Sequence, residues 1–544
     1  MYLKTGPLEG KAYLVVDDFG DMRSMMRNLL MSCGVQDITL AANGSEAVEE
    51  MQNRRFDVVL CDYNLGPGKD GQQVLEEARH HQLIGLGAVF LMVTAESARD
   101  MVMGAVEYEP DSYLTKPFNK ELLKTRLEKL IARKADLLPV EQALDRKDAA
   151  TAISLLEQRI TEKPANSSDL RKLKAEILLD RGETGGAREV YTSVLAIRAM
   201  PWARLGLGKT LFLEKRYQEA MEVFNTLIEE QATYTSAYDW LARCCKALDQ
   251  LPEAQAALQT AAELSPKTVR RQQLLGEIAM QNSDPKTAKT AFGNAVKHGR
   301  HSVYKHPSAY TNLAKVTAAD QQGEQALKVL RDMKREYRHD PEADFYMATA
   351  ESEIHQDMGN EEASKTSLER ATELYKQIDQ SNNTSCSLEM AKAYQRLGEE
   401  EKAVALMQSA ACNNHTDDEL LNDIKQTMRS MGVTTERVNA IDQLRREVAE
   451  LNNRGVELAK SGQLQEAIAL LEETAGRMPG NRVVNLNAAL VLLMDVEQRT
   501  ATAEEFRKIQ YYLQQVAAIE PDNPTLNKLQ KRLNAMNEKS GVET

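Results

Sequence analysis

Over residues 12–118 short apolar runs alternate with amphipathic stretches. Ala12–Val16, Val58–Cys61 and Val89–Val93 are continuous apolar runs, the pattern of strands buried on both faces. Weaker runs at 38–41 and 112–114 add two more strands. Between them, stretches near 22–32, 44–53, 71–81, 97–107 and 119–133 carry apolar residues at helical spacing. Five strands alternating with five helices predict right-handed crossovers and a doubly wound, five-stranded parallel sheet, an α/β fold. After Lys134 the strand pattern stops and helical periodicity continues to the end.

That helical part repeats. Gly208, Ala242 and Gly276 are spaced 34 residues apart, as are Leu207, Leu241 and Leu275, Ala220, Ala254 and Ala288, and Phe224, Leu258 and Phe292. Four columns in one register predict an all-α array of helical hairpins. Small residues let the two helices of a hairpin approach closely, and the Phe/Leu column is expected to fill the interface between neighbouring hairpins. Weaker copies extend the array on both sides, to eight or nine units in all. The chain therefore divides into a first domain over 1–133, repeats over 134–340 (clearest over 201–302), degenerate repeats and a helical connector over 341–447, and further repeats with a closing helix over 448–544. In the connector Gly432 interrupts a helix, and Ile441, Leu444, Val448 and Leu451 follow 3-4-3 spacing, which fits the core of the array better than a coiled-coil seam; a homodimer stays open as an alternative.

Composition adds limits. The 544 residues are 42% hydrophobic, 27% charged and 5% aromatic, which fits folded protein rich in helix. Sixty-eight Lys and Arg against 81 Asp and Glu give a net charge of −13. Such acidity disfavours binding driven by phosphate backbones, so no DNA partner is expected. The chain starts without an apolar leader and has no run of 18 apolar residues, so no membrane insertion is expected. Six cysteines without metal-ligand spacing read as reduced thiols, which places the protein in the cytoplasm. Gly208-Lys209-Thr210 imitates the end of a nucleotide-binding loop, but Ala203 stands where the motif needs glycine and the flanks are helical.

The chemistry gathers behind the strands. Asp17 and Asp18 follow the first, Asp62 the third, Thr94 the fourth and Lys116-Pro117 the fifth. Ligands of parallel sheets bind beyond the carboxyl ends of the strands. Three carboxylates there repel one another unless a hard cation neutralises them, and an all-oxygen set suits Mg²⁺. A lysine and a hydroxyl at the same rim can hold a phosphoryl group's oxygens.

With Val15-Val-Asp-Asp18, Leu60-Cys-Asp-Tyr-Asn64, Val93-Thr-Ala95 and Leu114-Thr-Lys-Pro-Phe118, residues ~10–133 resemble the receiver domain of bacterial two-component response regulators. The resemblance implies a flavodoxin-like (CheY-like) fold with Asp62 as phosphoacceptor, charged by a histidine kinase or phosphotransfer protein. It implies Mg²⁺ on Asp17, Asp18, Asp62 and the backbone carbonyl of Asn64. It makes Lys116 the partner of the acyl phosphate, Pro117 the second residue of a cis bond, and Thr94 and Tyr113 the switch residues. Glu96 would tune hydrolysis. Leu65-Gly-Pro-Gly-Lys-Asp-Gly71 is one residue longer than usual for the family, with two extra glycines, and implies a more flexible loop.

The 34-residue pattern, with Pro266 at the break after a second helix, resembles tetratricopeptide repeats. Such arrays hold peptides or helices of a partner protein in a groove. Lys209, Arg243, Lys246 and Arg270 form a cationic set for an acidic segment. The expected function is a phosphorylation-controlled adaptor with an unidentified protein partner in the groove. It is expected not to be an enzyme beyond self-phosphotransfer and autodephosphorylation at Asp62. The alternatives are a phosphorylation-independent scaffold or phosphate sink and, less supported, an RNA-binding regulator.

Overall fold

The computed structural model describes residues 6–95, 109–162, 167–378, 383–499, 502–521 and 523–540. The helix expected near 97–107 and the position of Glu96 lie outside them. The chain divides into two compact units, Met1–Ala309 and Tyr310–Thr544.

The first unit opens with five parallel strands: β1 (Ala12–Val16), β2 (Asp37–Ala41), β3 (Val58–Asp62), β4 (Val89–Thr94) and β5 (Ser112–Thr115), in the order β2-β1-β3-β4-β5. The helices α1 (Gly20–Ser32), α2 (Gly44–Asn53), α3 (Gly71–His80) and α4 (Lys120–Lys134) cover the sheet. Successive side chains of a strand point to opposite faces, and both faces here are apolar. Tyr13, Val15, Val58, Leu60, Val89, Leu91 and Val93 pack with Met26 and Leu30 of α1 and Leu123, Leu127 and Leu130 of α4. Leu14, Val16, Val59, Cys61, Phe90 and Met92 pack instead with Ala47, Val48 and Met51 of α2 and Val74, Leu75 and Ala78 of α3. This two-sided core is why the strands read as unbroken apolar runs.

A short 3-10 turn over Ala135–Leu137 leads from α4 into α5 (Leu138–Asp145) and α6 (Ala149–Glu162). Glu141 ties α5 back to the first domain by accepting from the Gly87 amide at 3.0 Å and from Arg55 at 3.1 Å. Helix pairs follow: α7 (Ser168–Asp180) with α8 (Thr184–Ile197), α9 (Pro201–Leu213) with α10 (Tyr217–Glu230), α11 (Thr235–Ala247) with α12 (Leu251–Leu264), and α13 (Val269–Gln281) with α14 (Pro285–Gly299). The Gly-Lys-Thr decoy lies inside α9.

The second unit continues the pattern with α15 (Pro307–Ala319), α16 (Gly323–Glu336), α17 (Pro341–Asp357), α18 (Glu361–Gln377), α19 (Thr384–Arg396) and α20 (Glu400–Asn413). An extra helix, α21 (Asp418–Ser430), ends before Gly432, whose φ of +75° turns the chain where the sequence predicts a break. Then α22 (Thr435–Lys460) runs unbroken for 26 residues. Ile441 and Val448 on it are buried within this chain, as expected of the array's own core. The described chain closes with α23 (Leu464–Arg477), α24 (Arg482–Val496), α25 (Ala503–Ile519) and α26 (Pro524–Ser540). Among the described residues no helix is long and apolar enough to cross a membrane.

The turn inside most hairpins contains one residue in the left-handed region. Those residues are Lys147, Gly182, Lys215, Asp249, Ser283, Gln321, Gly359, Gly398 and Gly462, with φ between +58° and +83°.

The small-residue column has the steric cause that the sequence suggests, whereas the phenylalanines expected between hairpins fill the inside of their own, with Phe224 also stacking on Trp240 of the next. A β-carbon on Gly208 would lie 2.4 Å from a ring carbon of the fully buried Phe224, and one on Gly276 would lie 2.5 Å from Phe292. Gly208→Ala should therefore cost about 1–3 kcal/mol by overpacking. Gly293→Ala, in α14 with nothing within 4 Å of the added carbon, should instead stabilise by about 0.5–1 kcal/mol. Urea midpoints of the two variants check the opposite signs.

Across the A-helix face of the second unit runs a buried ion-pair chain. Lys315 on α15 pairs with Glu353 on α17 at 2.7 Å and with Glu389 on α19, and Arg396 reaches Glu353 at 3.0 Å. Two carboxylates around one buried ammonium hold its pKa above the usual lysine range against the opposing effect of burial.

Candidate functional site

The carboxyl ends of β1, β3, β4 and β5 converge because all strands run parallel and in register. Asp17 is fully buried, Asp18 half-buried and Asp62 buried, and one oxygen from each lies within 4.8 Å of the others. Lys116 enters from the end of β5, its Nζ 2.7 Å from Asp17 Oδ2 and 2.8 Å from Asp62 Oδ2. The lysine is aimed by its backbone: its amide donates to the Thr94 carbonyl at 2.7 Å, and the Lys116–Pro117 bond is cis.

Charge in this cleft is unbalanced. One ammonium faces three carboxylates, and Asp18 Oδ1 is buried with no hydrogen-bond partner. Leaving a buried carboxylate oxygen unsatisfied is expensive, so the cluster fits a hard, oxygen-seeking cation. Burial pushes the Asp62 carboxyl above its ordinary pKa, and the Asp17 charge adds to the push while hydrogen bonding to Lys116 opposes it. Lys116 is held above its own usual value by the two carboxylates, against burial.

The loop behind β3 is built around backbone contacts. The Tyr63 amide donates to Val93 at 2.8 Å, and the Gly71 amide donates to the Tyr63 carbonyl at 2.9 Å. Asp70 caps α3 by accepting from the Gln73 amide, and Gln73 caps it in return. Any β-carbon on Gly71 would lie 2.1 Å from the Asp62 carbonyl oxygen, so glycine alone fits there. The sequence shows Asp70-Gly71 only as a familiar pair; this close approach was missed. Gly66 and Gly68, the loop's extra glycines, adopt φ of +71° and +114°, so they serve defined left-handed turns. Asn64 is exposed, and its side chain accepts from the Gly66 amide at 3.3 Å.

Thr94 ends β4 and is buried, while Tyr113 lies half-buried one strand away, its backbone carbonyl held by Arg126. The structure thus brings Asp17, Asp18, Asp62, Lys116 and Thr94 to one rim and places Tyr113 on the adjacent strand.

The cationic residues of the repeats divide differently. Lys209 and Arg243 flank the Trp240 ring at 5.4 and 4.8 Å, a cation–π pair of contacts on one indole. Arg270 stacks over Tyr304 at 5.0 Å, and Lys246, on α11, stands one turn beyond Arg243. Burial holds Lys209 below the usual lysine pKa. Arg271, which the sequence did not single out, is fully buried. It makes a two-pronged contact with Asp239, both bonds 2.7 Å, from one repeat to the preceding one.

The profile of the response regulator receiver domain matches residues 13–128, and tetratricopeptide-repeat profiles match 178–239, 211–278 and 349–378. The chemotaxis protein CheY of Pseudomonas aeruginosa is 35% identical over 120 residues, which are 22% of this chain and 95% of that protein. Chemotaxis protein CheY-3 of Vibrio cholerae is 34% identical over 22% of this chain and 91% of its own length. Among solved structures, CheY4 of Vibrio cholerae is 29% identical over 22% of this chain and 98% of its own, with a TM-score of 0.21. The receiver domain of a Pseudomonas aeruginosa sensor histidine kinase, solved with magnesium in its active site cleft, is 27% identical over 23% and 98%, also with a TM-score of 0.21. The five-stranded sheet, the acid cluster with its lysine, the family profiles and the two CheY sequences agree: the chain belongs to the two-component response regulators, with a receiver domain at its N-terminus and tetratricopeptide repeats behind it.

Proposed function

We propose that this protein is a phosphorylation-controlled adaptor: a histidine kinase or phosphotransfer protein charges Asp62, and the charge alters what the repeats hold. The observation that carries the reading is the carboxylate triad with one lysine and an orphaned Asp18 oxygen. In this reading an Asp62 oxygen attacks the donor's phosphorus. The bond from phosphorus to the donor atom breaks, and its electron pair leaves with the donor. Asp17, Asp18, Asp62 and the Asn64 carbonyl would hold Mg²⁺, which would supply positive charge to offset the phosphoryl oxygens. Lys116, already bonded to Asp62 and Asp17, keeps a positive charge beside the carboxylate that becomes the acyl phosphate. Thr94 hydrogen-bonds the new phosphoryl group, and Tyr113 follows it. A phosphoryl group takes the local charge from one negative to about two, enough to bias a bistable surface.

The protein works in the cytoplasm and turns over no foreign substrate. The four-part division at 133, 340 and 447 describes its working parts: receiver, partner-binding repeats, connector and closing repeats. The cationic groove residues Lys209, Arg243, Lys246 and Arg270 favour an acidic protein segment as partner. Partner capture with wild type, Asp62→Asn and beryllofluoride-loaded protein tests the control: the loaded protein should differ from the other two, and identical capture in all three would leave a phosphorylation-independent scaffold.

The cation has its own test. Mg²⁺ at a hundred times its dissociation constant should stabilise the receiver by about 2.7 kcal/mol. Asp18→Asn should lose most of that gain while folding normally without Mg²⁺. A thermal melt with and without Mg²⁺ reads both.

A further inference from the structure

The receiver does not stand clear of the repeats that follow it. Within the first unit, contacts run from α3 and the segments beside it to α7, to the chain just before α13, and to the end of α14 and the chain just after it. At one end Lys172 on α7 forms an ion pair with Glu109, whose backbone carbonyl also accepts from Arg79 of α3. Glu109 lies within electrostatic reach of Lys209 on α9 and of Tyr234, just before α11. At the other end Lys267, just before α13, reaches Asp70 at 3.5 Å and stands over the ring of Tyr63, the neighbour of Asp62, at 5.4 Å. Beside it Gln73 donates to the His298 carbonyl at 3.2 Å, Ser302 donates to Glu76 at 2.8 Å, and His80 meets Tyr304 edge-on at 5.5 Å.

Three properties of this seam matter. It is complementary in charge: the receiver offers Asp70, Glu76 and Glu109, and the repeats offer Lys172, Lys209 and Lys267. It is polar and loosely filled, with a cavity of about 180 Å³ among Asp70, Gln73, Glu76, Lys267, His298 and Ser302. Such interfaces resemble transient ones and separate readily. It also takes up Arg270 of the cationic set that an acidic partner would need, stacked on the Tyr304 that meets His80.

We infer that the rim formed by α7, the chain just before α13 and the end of α14 is a receiver-binding surface whose resident occupant is this chain's own receiver, so another protein reaches that rim only when the receiver leaves. Receiver and external partner then compete for Lys172 and Lys267. The partner that fits is a segment with carboxylates spaced like those of Asp70, Glu76 and Glu109. The contact is present in the unphosphorylated chain, so it can be tested separately from phosphoryl transfer.

Amide hydrogen exchange on the full chain tests it. Lys172→Glu with Lys267→Glu should raise exchange in peptides covering 71–80, 168–180 and 269–281 by about tenfold, while peptides of α1 and α10 stay as in wild type. Adding Glu109→Lys to that variant should restore part of the protection, because the first pair is re-formed with its charges exchanged. Unchanged exchange in the charge-reversed variant would overturn the inference. Protection in wild type that disappears on dilution would also overturn it, by assigning the contact to a second copy. Labelling from acetyl phosphate is scored on the same proteins. A chain that never labels yet shows the seam removes the proposed switch alone, and a chain that labels but shows no seam removes this inference alone.

Discussion

Asp62→Asn should take up no phosphoryl group from acetyl phosphate and Mg²⁺, and Lys116→Ala should slow uptake by about 10²–10³-fold. The two losses have different causes. A carboxamide at residue 62 removes the anionic oxygen that attacks phosphorus, so nothing remains to be esterified. Removing Lys116 keeps the nucleophile but strips the one cation that touches both Asp17 and Asp62. The buried carboxylates then repel each other more strongly, and charge developing on the transferred group loses a fixed partner. Phosphate-sensitive gel shift or mass spectrometry of the intact chain reads both, with Thr94→Ala as a third protein that should still label. Labelling of Asp62→Asn at wild-type level would move the acceptor to another residue.

Asp239→Ala should cost about 3–5 kcal/mol, much more than Arg271→Met, although the two changes break the same ion pair. The asymmetry comes from burial. The Arg271 side chain is wholly inside, bonded to Asp239 and to the Ser265 carbonyl at 3.2 Å, whereas the Asp239 side chain is 27% exposed. Deleting Asp239 strands a guanidinium, which cannot lose its proton, without an anion. Deleting Arg271 removes the buried charge itself and leaves a carboxylate that water can reach. Methionine also fills most of the volume. Urea titrations of the full chain check the order; equal costs would mean that packing, not charge, holds these two repeats together.

The receiver was legible because its signals are local. Each strand is an apolar run with a chemically distinctive residue directly behind it, and parallel pairing must bring those ends together. The central repeats were legible because Gly208 and Gly276 have an enforced spacing: each faces a phenylalanine that tolerates no β-carbon. Later the left-handed turn residues drift apart, from 34 residues between Asp249 and Ser283 to 38 between Gln321 and Gly359, which blurs the columns. The long α22 hides another boundary by fusing the connector to the first helix of the next pair. Arg271 with Asp239, and Lys315 with Glu353 and Glu389, were illegible because each pair joins residues 32 or more apart on different hairpins. No local pattern marks them. Gly71 escaped for another reason: it is fixed by a backbone oxygen, and backbone atoms leave no trace in residue type.

The hairpin turns carry a final consequence. From Lys215 through Asp249 and Ser283 to Gln321, four successive left-handed positions bear a β-carbon, while Gly182 precedes them and Gly359 and Gly398 follow. Each such residue costs about 1 kcal/mol that glycine would not. Lys147 in the first hairpin bears the same strain, so under heat local opening should begin at these five corners before the hairpins that turn at glycine.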